Sequence, residues 1–152
     1  MKVHIEIVEN LAEDEVVIRC ARITGTIQSI HQAITEQASV APKLTFHKKS
    51  EEYYFPLEDV LFFETGSDQV YAHTADDVFR VKYRLWELEE FLPKAFARIS
   101  KSGIVNTRHI LSIDRDLTAS SLVRFHKSHK QVYVSRMYYK SLRQRLESIR
   151  NS

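Results

Sequence analysis

From Leu44 to Val134 the chain is cut into short apolar runs separated by turn-forming residues, and runs of this length bury strands more readily than helices. Leu44 and Phe46, then Tyr53 to Phe55 and Val60 to Phe63, read as sheet, with Glu51-Glu52 marking a turn. Gly66-Ser67-Asp68 is a loop between Leu61–Glu64 and Val70–His73, and Ala75-Asp76-Asp77 turns the chain into Val78–Val81. A meander of short antiparallel strands follows from this spacing. Tyr83 to Leu92 switches to helical spacing, with Leu85, Leu88, Phe91 and Leu92 on one side, and Pro93 stops it. Trp86 on this helix reads as a packing residue. Arg98 to Asn106 and Ile110 to Ile113 are extended pieces, and Leu122–Phe125 and Gln131–Val134 flank a polar turn, His126 to Lys130. Ser135 is placed to cap a last helix whose apolar stripe is Tyr139, Leu142, Leu146 and Ile149.

The first forty residues differ. Val3, Ile5 and Ile7 alternate with His4 and Glu6, so Lys2–Val8 reads as a half-buried strand; Asn10–Asp14 breaks it, and Glu15–Ala21 reads as a second strand. Thr24 is placed to cap a helix from Gly25 to about Glu36 carrying Ile27, Ile30 and Ile34 on one face. Ser39 to Pro42 is a short boundary. The expected organisation is therefore a strand-strand-helix extension over 1–41 and a mainly β, α+β domain over 42–152. Two short strands and one helix bury little apolar area alone, so the isoleucine stripe must dock on its own sheet or on another chain.

With 152 residues, 43% hydrophobic and 28% charged, and only 3 Gly and 3 Pro, the chain has the composition of a folded protein. No run is long enough to span a bilayer, the first residues build no apolar signal segment, and the single cysteine, Cys20, forms no intramolecular disulfide. A cytoplasmic location is expected. The net charge of +2 hides a division: residues 1–93 hold 9 Lys and Arg against 17 Asp and Glu, residues 94–152 hold 13 against 3. The first part is net −8 and the second +10, a distribution suited to a polyanion facing the second.

Catalytic and metal chemistry find little support. His126-x-x-His129 lies on a hairpin turn with no cysteine or acidic third ligand in the segment. Cys20 has no base near it in sequence, and reads as a small buried hydrophobe. Adjacent carboxylates such as Glu58-Asp59 and Asp76-Asp77 point to opposite faces of a strand, and Gly25, Gly66 and Gly103 are too isolated to cradle a phosphate. An enzyme is not expected, and no cofactor is called for.

The basic part concentrates in two stretches. Phe96–Ile110, F-A-R-I-S-K-S-G-I-V-N-T-R-H-I, sets Arg98, Lys101, Arg108 and His109 among small hydroxyl and amide residues, without a carboxylate. Val123–Ser135, V-R-F-H-K-S-H-K-Q-V-Y-V-S, runs into Arg136. Cations beside small donors on an anchored backbone suit phosphates and base edges. Cations spread over loops and strand ends follow a phosphate backbone better than a lipid surface, although Lys140, Arg143, Arg145 and Arg150 on the last helix keep a peripheral membrane reading open. A protein-interaction module meeting an acidic partner is the other alternative. The last helix lacks the preceding helix and tight turn of a helix-turn-helix, so recognition falls to loops and strand ends.

R-I-S-K-S-x-I-V-N, followed some thirty residues later by V-x-V-S-R-x-Y, resembles the LytTR DNA-binding domain of bacterial transcription regulators, and F-P-L-E-D-V-L-F-F-E at Phe55–Glu64 is similar to that family's strand pair ending in an acidic residue. The resemblance covers roughly Leu44 to Ile149. It implies stacked small antiparallel β-sheets with short helices, and loops inserted into successive major grooves at tandem promoter repeats. It implies base reading by Lys101 and Arg136, with Asp68 and Gln69 in a first loop, Gly66–Gln69, where the family often carries His or Arg. Phosphate contacts are implied for Arg98, Ser100, Ser102, Ser135 and Lys140. Residues 1–43 offer no room for the five strand-helix units of the receiver domain that such regulators often carry. The acidic first segment is expected to face away from DNA, and to serve a homodimer or an inhibitory protein partner.

Overall fold

Of the 152 residues, the computed structural model describes 1–38 and 44–150; the boundary expected at Ser39–Pro42 lies outside the described residues. The chain divides into a first unit, Met1–Val40, and a second, Ala41–Ser152.

In the first unit a helix, α1, runs from Gly25 to Ala38. It starts where expected, with the Ile27 amide donating to Thr24 Oγ1 at 3.3 Å and the Gln28 amide to the Thr24 carbonyl at 3.0 Å. The two strands expected before it are not formed: among the described residues, none preceding Gly25 joins a ladder. Alternation marks a strand's face but does not supply its partner, and the turn near Asn10, whose φ is 64°, does not pair Lys2–Val8 with Glu15–Ala21.

The second unit is a seven-stranded antiparallel sheet and a three-stranded antiparallel one. In chain order the large sheet takes β1 (Phe46–Lys48), β2 (Glu51–Tyr53), β3 (Phe62–Gly66), β4 (Gln69–His73), β5 (Val78–Val81), β6 (Phe96–Ser100) and β7 (Gly103–Asn106). Its spatial order is β2-β1-β5-β4-β3-β7-β6. The small sheet is β8 (Ile110–Asp114), β9 (Ser121–Phe125) and β10 (Gln131–Val134), with β9 central. Helix α2 covers Leu85–Phe91, ends at Leu92 just before Pro93, and is closed at its start by Glu87 accepting from the Arg84 amide. Helix α3 covers Arg136–Arg150.

Two local expectations shift. Glu51-Glu52 is not a turn: the turn is Lys49-Ser50, with Lys49 at φ 58°, and the two glutamates lie in β2 opposite Lys48 and His47. The opposite charges of Lys48 and Glu51 favour that register. Val60 and Leu61 are buried but precede the strand, because a 3₁₀ turn at Leu57–Asp59 delays it to Phe62.

The large sheet has apolar side chains on both faces, and neighbouring residues divide between them. Phe63, Val70, Ala72, Phe79, Val81 and Ile104 pack with Leu85 and Leu88 of α2. Phe62, Ala97, Ile99 and Val105 instead pack with Val123, Phe125, Val132 and Val134 of the small sheet and with Leu142 of α3. On α3, Tyr138, Tyr139 and Leu146 complete that second core. The alternation of Phe62 with Phe63, and of Ile104 with Val105, therefore makes the large sheet the middle layer.

At one end the layers are fastened by polar contacts. Lys130, on the β9–β10 turn, donates to the Asp77 carbonyl and lies 3.3 Å from His73 Nδ1, while Ser128 Oγ donates to the Ala75 carbonyl at 2.6 Å. Burial, with the charge of Lys130 beside it, pushes the His73 imidazole down to about 4. Burial also lowers Lys130 from its usual value.

Candidate nucleic-acid interface

The opposite end gathers the residues singled out by the sequence. Strands β3 and β4 meet in a two-residue turn, Ser67-Asp68, with both residues at positive φ (49° and 64°), the shape that matches strand twist in tight hairpins. Gln69 is the first residue of β4, exposed, with Tyr71 Oη 3.5 Å from its Oε1. Strands β6 and β7 meet at Lys101-Ser102, and β10 hands over to α3 at Ser135.

These three connections are joined through their backbones. The Thr65 amide donates to the Ser102 carbonyl at 2.9 Å, and the Ser135 amide donates to the Ile99 carbonyl at 2.9 Å. The first bond ties the end of β3 to the Lys101 turn. The second ties that turn's strand to the start of α3, across the two sheets. Ser135 caps the helix through its carbonyl, which accepts from the amides of Tyr138 and Tyr139.

The Lys101 turn is shaped from within. Ser100 Oγ accepts from the Ser102 amide at 3.1 Å. Arg98 Nε donates to the Ser100 carbonyl at 2.6 Å, Nη2 to the Lys101 carbonyl at 2.7 Å, and Nη1 to Glu89 at 2.7 Å. All three guanidinium nitrogens are thus engaged within the protein, and Arg98 holds the turn. Gly103 has a steric reason to be glycine: a Cβ there would stand 3.2 Å from Cγ1 of fully buried Ile99 and 3.3 Å from Ser100 Oγ. Lys101 itself is exposed.

Arg136 opens α3 and is exposed, and Lys140 lies one turn further on the same face, also exposed. An open groove of about 620 Å³ brings Lys101, Ser100 and Ser102 together with Ser135 and Arg136. Asp68 and Gln69 do not line that groove; they sit on the neighbouring hairpin.

Two features escape the sequence reading. The β8–β9 loop contributes Ala119 and Ser120 to the groove wall. It is ordered by Asp116, whose carboxylate accepts from the Thr118 amide at 2.9 Å and hydroxyl at 2.8 Å; these bonds, with a smaller effect from the Arg136 charge, hold the carboxyl below its usual range. The polar run L-T-A-S-S at 117–121 is its only sequence signal. The second is Met137, 81% exposed beside Arg136, whose position follows only from where α3 begins. Asn106, the last residue of R-I-S-K-S-x-I-V-N, lies away from the groove: it is buried and donates to the Val60 carbonyl at 3.0 Å, so its place in the motif is structural.

A β-layered scaffold whose loops at one end present exposed cations among hydroxyls, with no acidic cluster in the groove wall, is a nucleic-acid-binding architecture. The comparisons agree: residues 50–147 match the LytTr DNA-binding domain family, and the chain belongs to that family. It is 33% identical over 147 residues to uncharacterised HTH-type transcriptional regulators of Staphylococcus aureus strains NCTC 8325 / PS 47 and COL, covering 96% of this chain and 98% of each relative. A solved LytTr DNA-binding domain, from a methyl-accepting/DNA response regulator of Bacillus cereus, superposes with a TM-score of 0.63 at 28% identity, over 70% of this chain and 98% of that one. The helix-turn-helix in the relatives' names has no counterpart among the described residues here, since α2 and α3 are separated by the strands β6 to β10. Also among the described residues, no three His, Cys, Asp or Glu side chains group to hold a metal ion, and no helix is long and apolar enough to cross a membrane.

Proposed function

We propose that the chain is a sequence-specific regulator of transcription that acts in the cytoplasm and reads tandem repeats in promoter DNA from the major groove. The observation that carries this reading is the pair of backbone bonds, Thr65 to Ser102 and Ser135 to Ile99, which fix three loops into one presenting edge. Lys101 and Arg136 are its base readers, because they are the exposed cations at that edge's groove and both suit guanine O6 and N7. Asp68 and Gln69 act on the flank: a carboxylate accepts from cytosine N4, and a glutamine amide reads adenine, which gives the first loop a different base preference from a cationic one.

Ser100, Ser102, Ser135 and Lys140 position the protein on the phosphates. Arg98 acts through the turn it holds. Two protomers occupy two repeats as a homodimer, and an inhibitory protein partner is the form of control. Selection from random duplex DNA tests the reading: a recurring tandem motif supports it, and retention of random sequence without enrichment overturns it.

A further inference from the structure

Residues 1–37 contain no buried side chain, and the isoleucine stripe of α1, Ile27, Ile30 and Ile34, is only half-covered. Val3, Ile5 and Ile7 are 89%, 91% and 90% exposed, on a stretch, Lys2–Val8, that runs without helix, turn or bend and pairs with no strand among the described residues. Val16, Val17 and Ile23 are similarly exposed on the following stretch. A straight backbone with alternating apolar side chains and no partner is an incomplete strand, and isolated strands do not persist in water.

The sequence of this stretch fits a second copy of itself. Laid antiparallel on a second copy of itself about a two-fold axis through Ile5, Lys2-Val-His-Ile-Glu-Ile-Val8 sets Ile5 opposite Ile5 and Val3 opposite Ile7 on one face. On the other face His4 stands opposite Glu6, twice, and at the two ends Lys2 stands opposite Val8. Slipping by one residue puts apolar side chains opposite polar ones, and slipping by two leaves an apolar residue unmatched at each end. Apolar matching of this kind follows from the alternation, and the His4–Glu6 pairs add polar complementarity to it, as a two-fold contact requires, since each residue must meet the partner's counterpart. The curated relatives align with 147 of the 152 residues, so most of the first forty are shared with them, whereas the solved LytTr domain covers 70% of this chain.

We infer that Lys2–Val8 is a dimerisation strand, paired antiparallel with the same segment of a second copy in register about Ile5, with the apolar residues of Val16–Ile23 and α1 closing over the pair. This extends the two-protomer part of the proposed function and is independent of the base contacts.

Sedimentation of the full chain without DNA tests it, with engineered cysteines reporting register in a Cys20→Ser background. The full chain is expected to sediment as a dimer. Ile5→Lys, which sets like charges face to face at the axis, is expected to raise the dimer dissociation constant about 30-fold or more. Ile5→Cys should cross-link to itself on oxidation, because directly opposite residues lie within disulfide reach, whereas Val3→Cys should cross-link only when mixed with Ile7→Cys. Ile5→Lys is exposed and should still bind a duplex bearing one repeat as the unaltered chain does, so a fault in DNA reading would show separately. A full chain that stays monomeric at tens of micromolar, or a dimer indifferent to Ile5→Lys that Ile5→Cys does not cross-link, overturns the inference.

Discussion

The amide of Ser135 donates to the carbonyl of Ile99 at 2.9 Å, and this one bond joins the start of α3 to the strand that leads into the Lys101 turn. Two cations, Lys101 on a turn of the large sheet and Arg136 at the start of α3, thereby line one groove. A fixed spacing between these two cations is what the proposed reading of a duplex with fixed base-pair rise requires.

Arg98 tests whether the shape of that turn matters. Arg98→Ala removes donors from the carbonyls of Ser100 and Lys101, and should weaken specific DNA binding by about tenfold, the effect of losing roughly 1.4 kcal/mol of charge-assisted hydrogen bonding. Arg98→Lys should not restore it, because an ammonium cannot span both carbonyls as a planar fork does. Titrations at several salt concentrations should show an unchanged salt slope. A slope reduced by about one unit would assign Arg98 to a phosphate instead.

Lys140 should behave in the opposite way. It is exposed one helical turn beyond Arg136, and Lys140→Ala should weaken selected and random duplexes by the same factor while making the salt slope shallower by about 0.9. Paired titrations on the two duplexes measure both quantities.

Leu142 anchors the helix that carries Arg136 and Lys140. It is fully buried among the residues between the sheets, so Leu142→Ala should cost about 2–5 kcal/mol of stability, read as a shifted denaturation midpoint. Leu111→Ala, at an exposed site of β8, should change stability by less than about 0.5 kcal/mol.

Stability should fall as the solution is acidified from about 6.5 to about 4. His73 is held neutral by burial and by Lys130 down to about 4, and burial with Lys130 outweighs the Glu64 carboxylate 3.9 Å from its Nε2. In that window the unfolded chain takes up a proton that the folded chain refuses, so the unfolded state gains. Above 6.5 both states are neutral and this dependence vanishes. Thermal midpoints of the unaltered chain and of His73→Leu across this range check the sign: the variant should show a smaller acid slope.

The hairpins of the second unit were legible because their turns carry residues suited to them: Ser67-Asp68 after Gly66 and Ala75-Asp76-Asp77 interrupt apolar runs cleanly. The order of layers was not legible, since Phe62 and Phe63 look alike in sequence and only the two cores show which face each serves. Lys49-Ser50 was misplaced by two residues because adjacent glutamates suggest a turn, whereas across a strand pair they answer Lys48 and His47. At the interface, Lys101 and Arg136 stood out by motif, but the inward use of Arg98 depends on carbonyls that sequence does not display. Lys2–Val8 failed as an intrachain strand for a related reason. Its alternation states which face is apolar, and nothing in one chain's periodicity says where the partner comes from.

The central claim, that Lys101 and Arg136 read bases from one fixed edge, is tested most directly by titrating Arg136→Ala against the selected duplex and against random duplex at one salt concentration. Loss of a bidentate guanine contact costs about 1–3 kcal/mol, so affinity for the selected duplex should fall roughly five- to 150-fold. Random duplex should lose far less, and discrimination should flatten. An equal fall on both duplexes would contradict the claim and make Arg136 a phosphate contact.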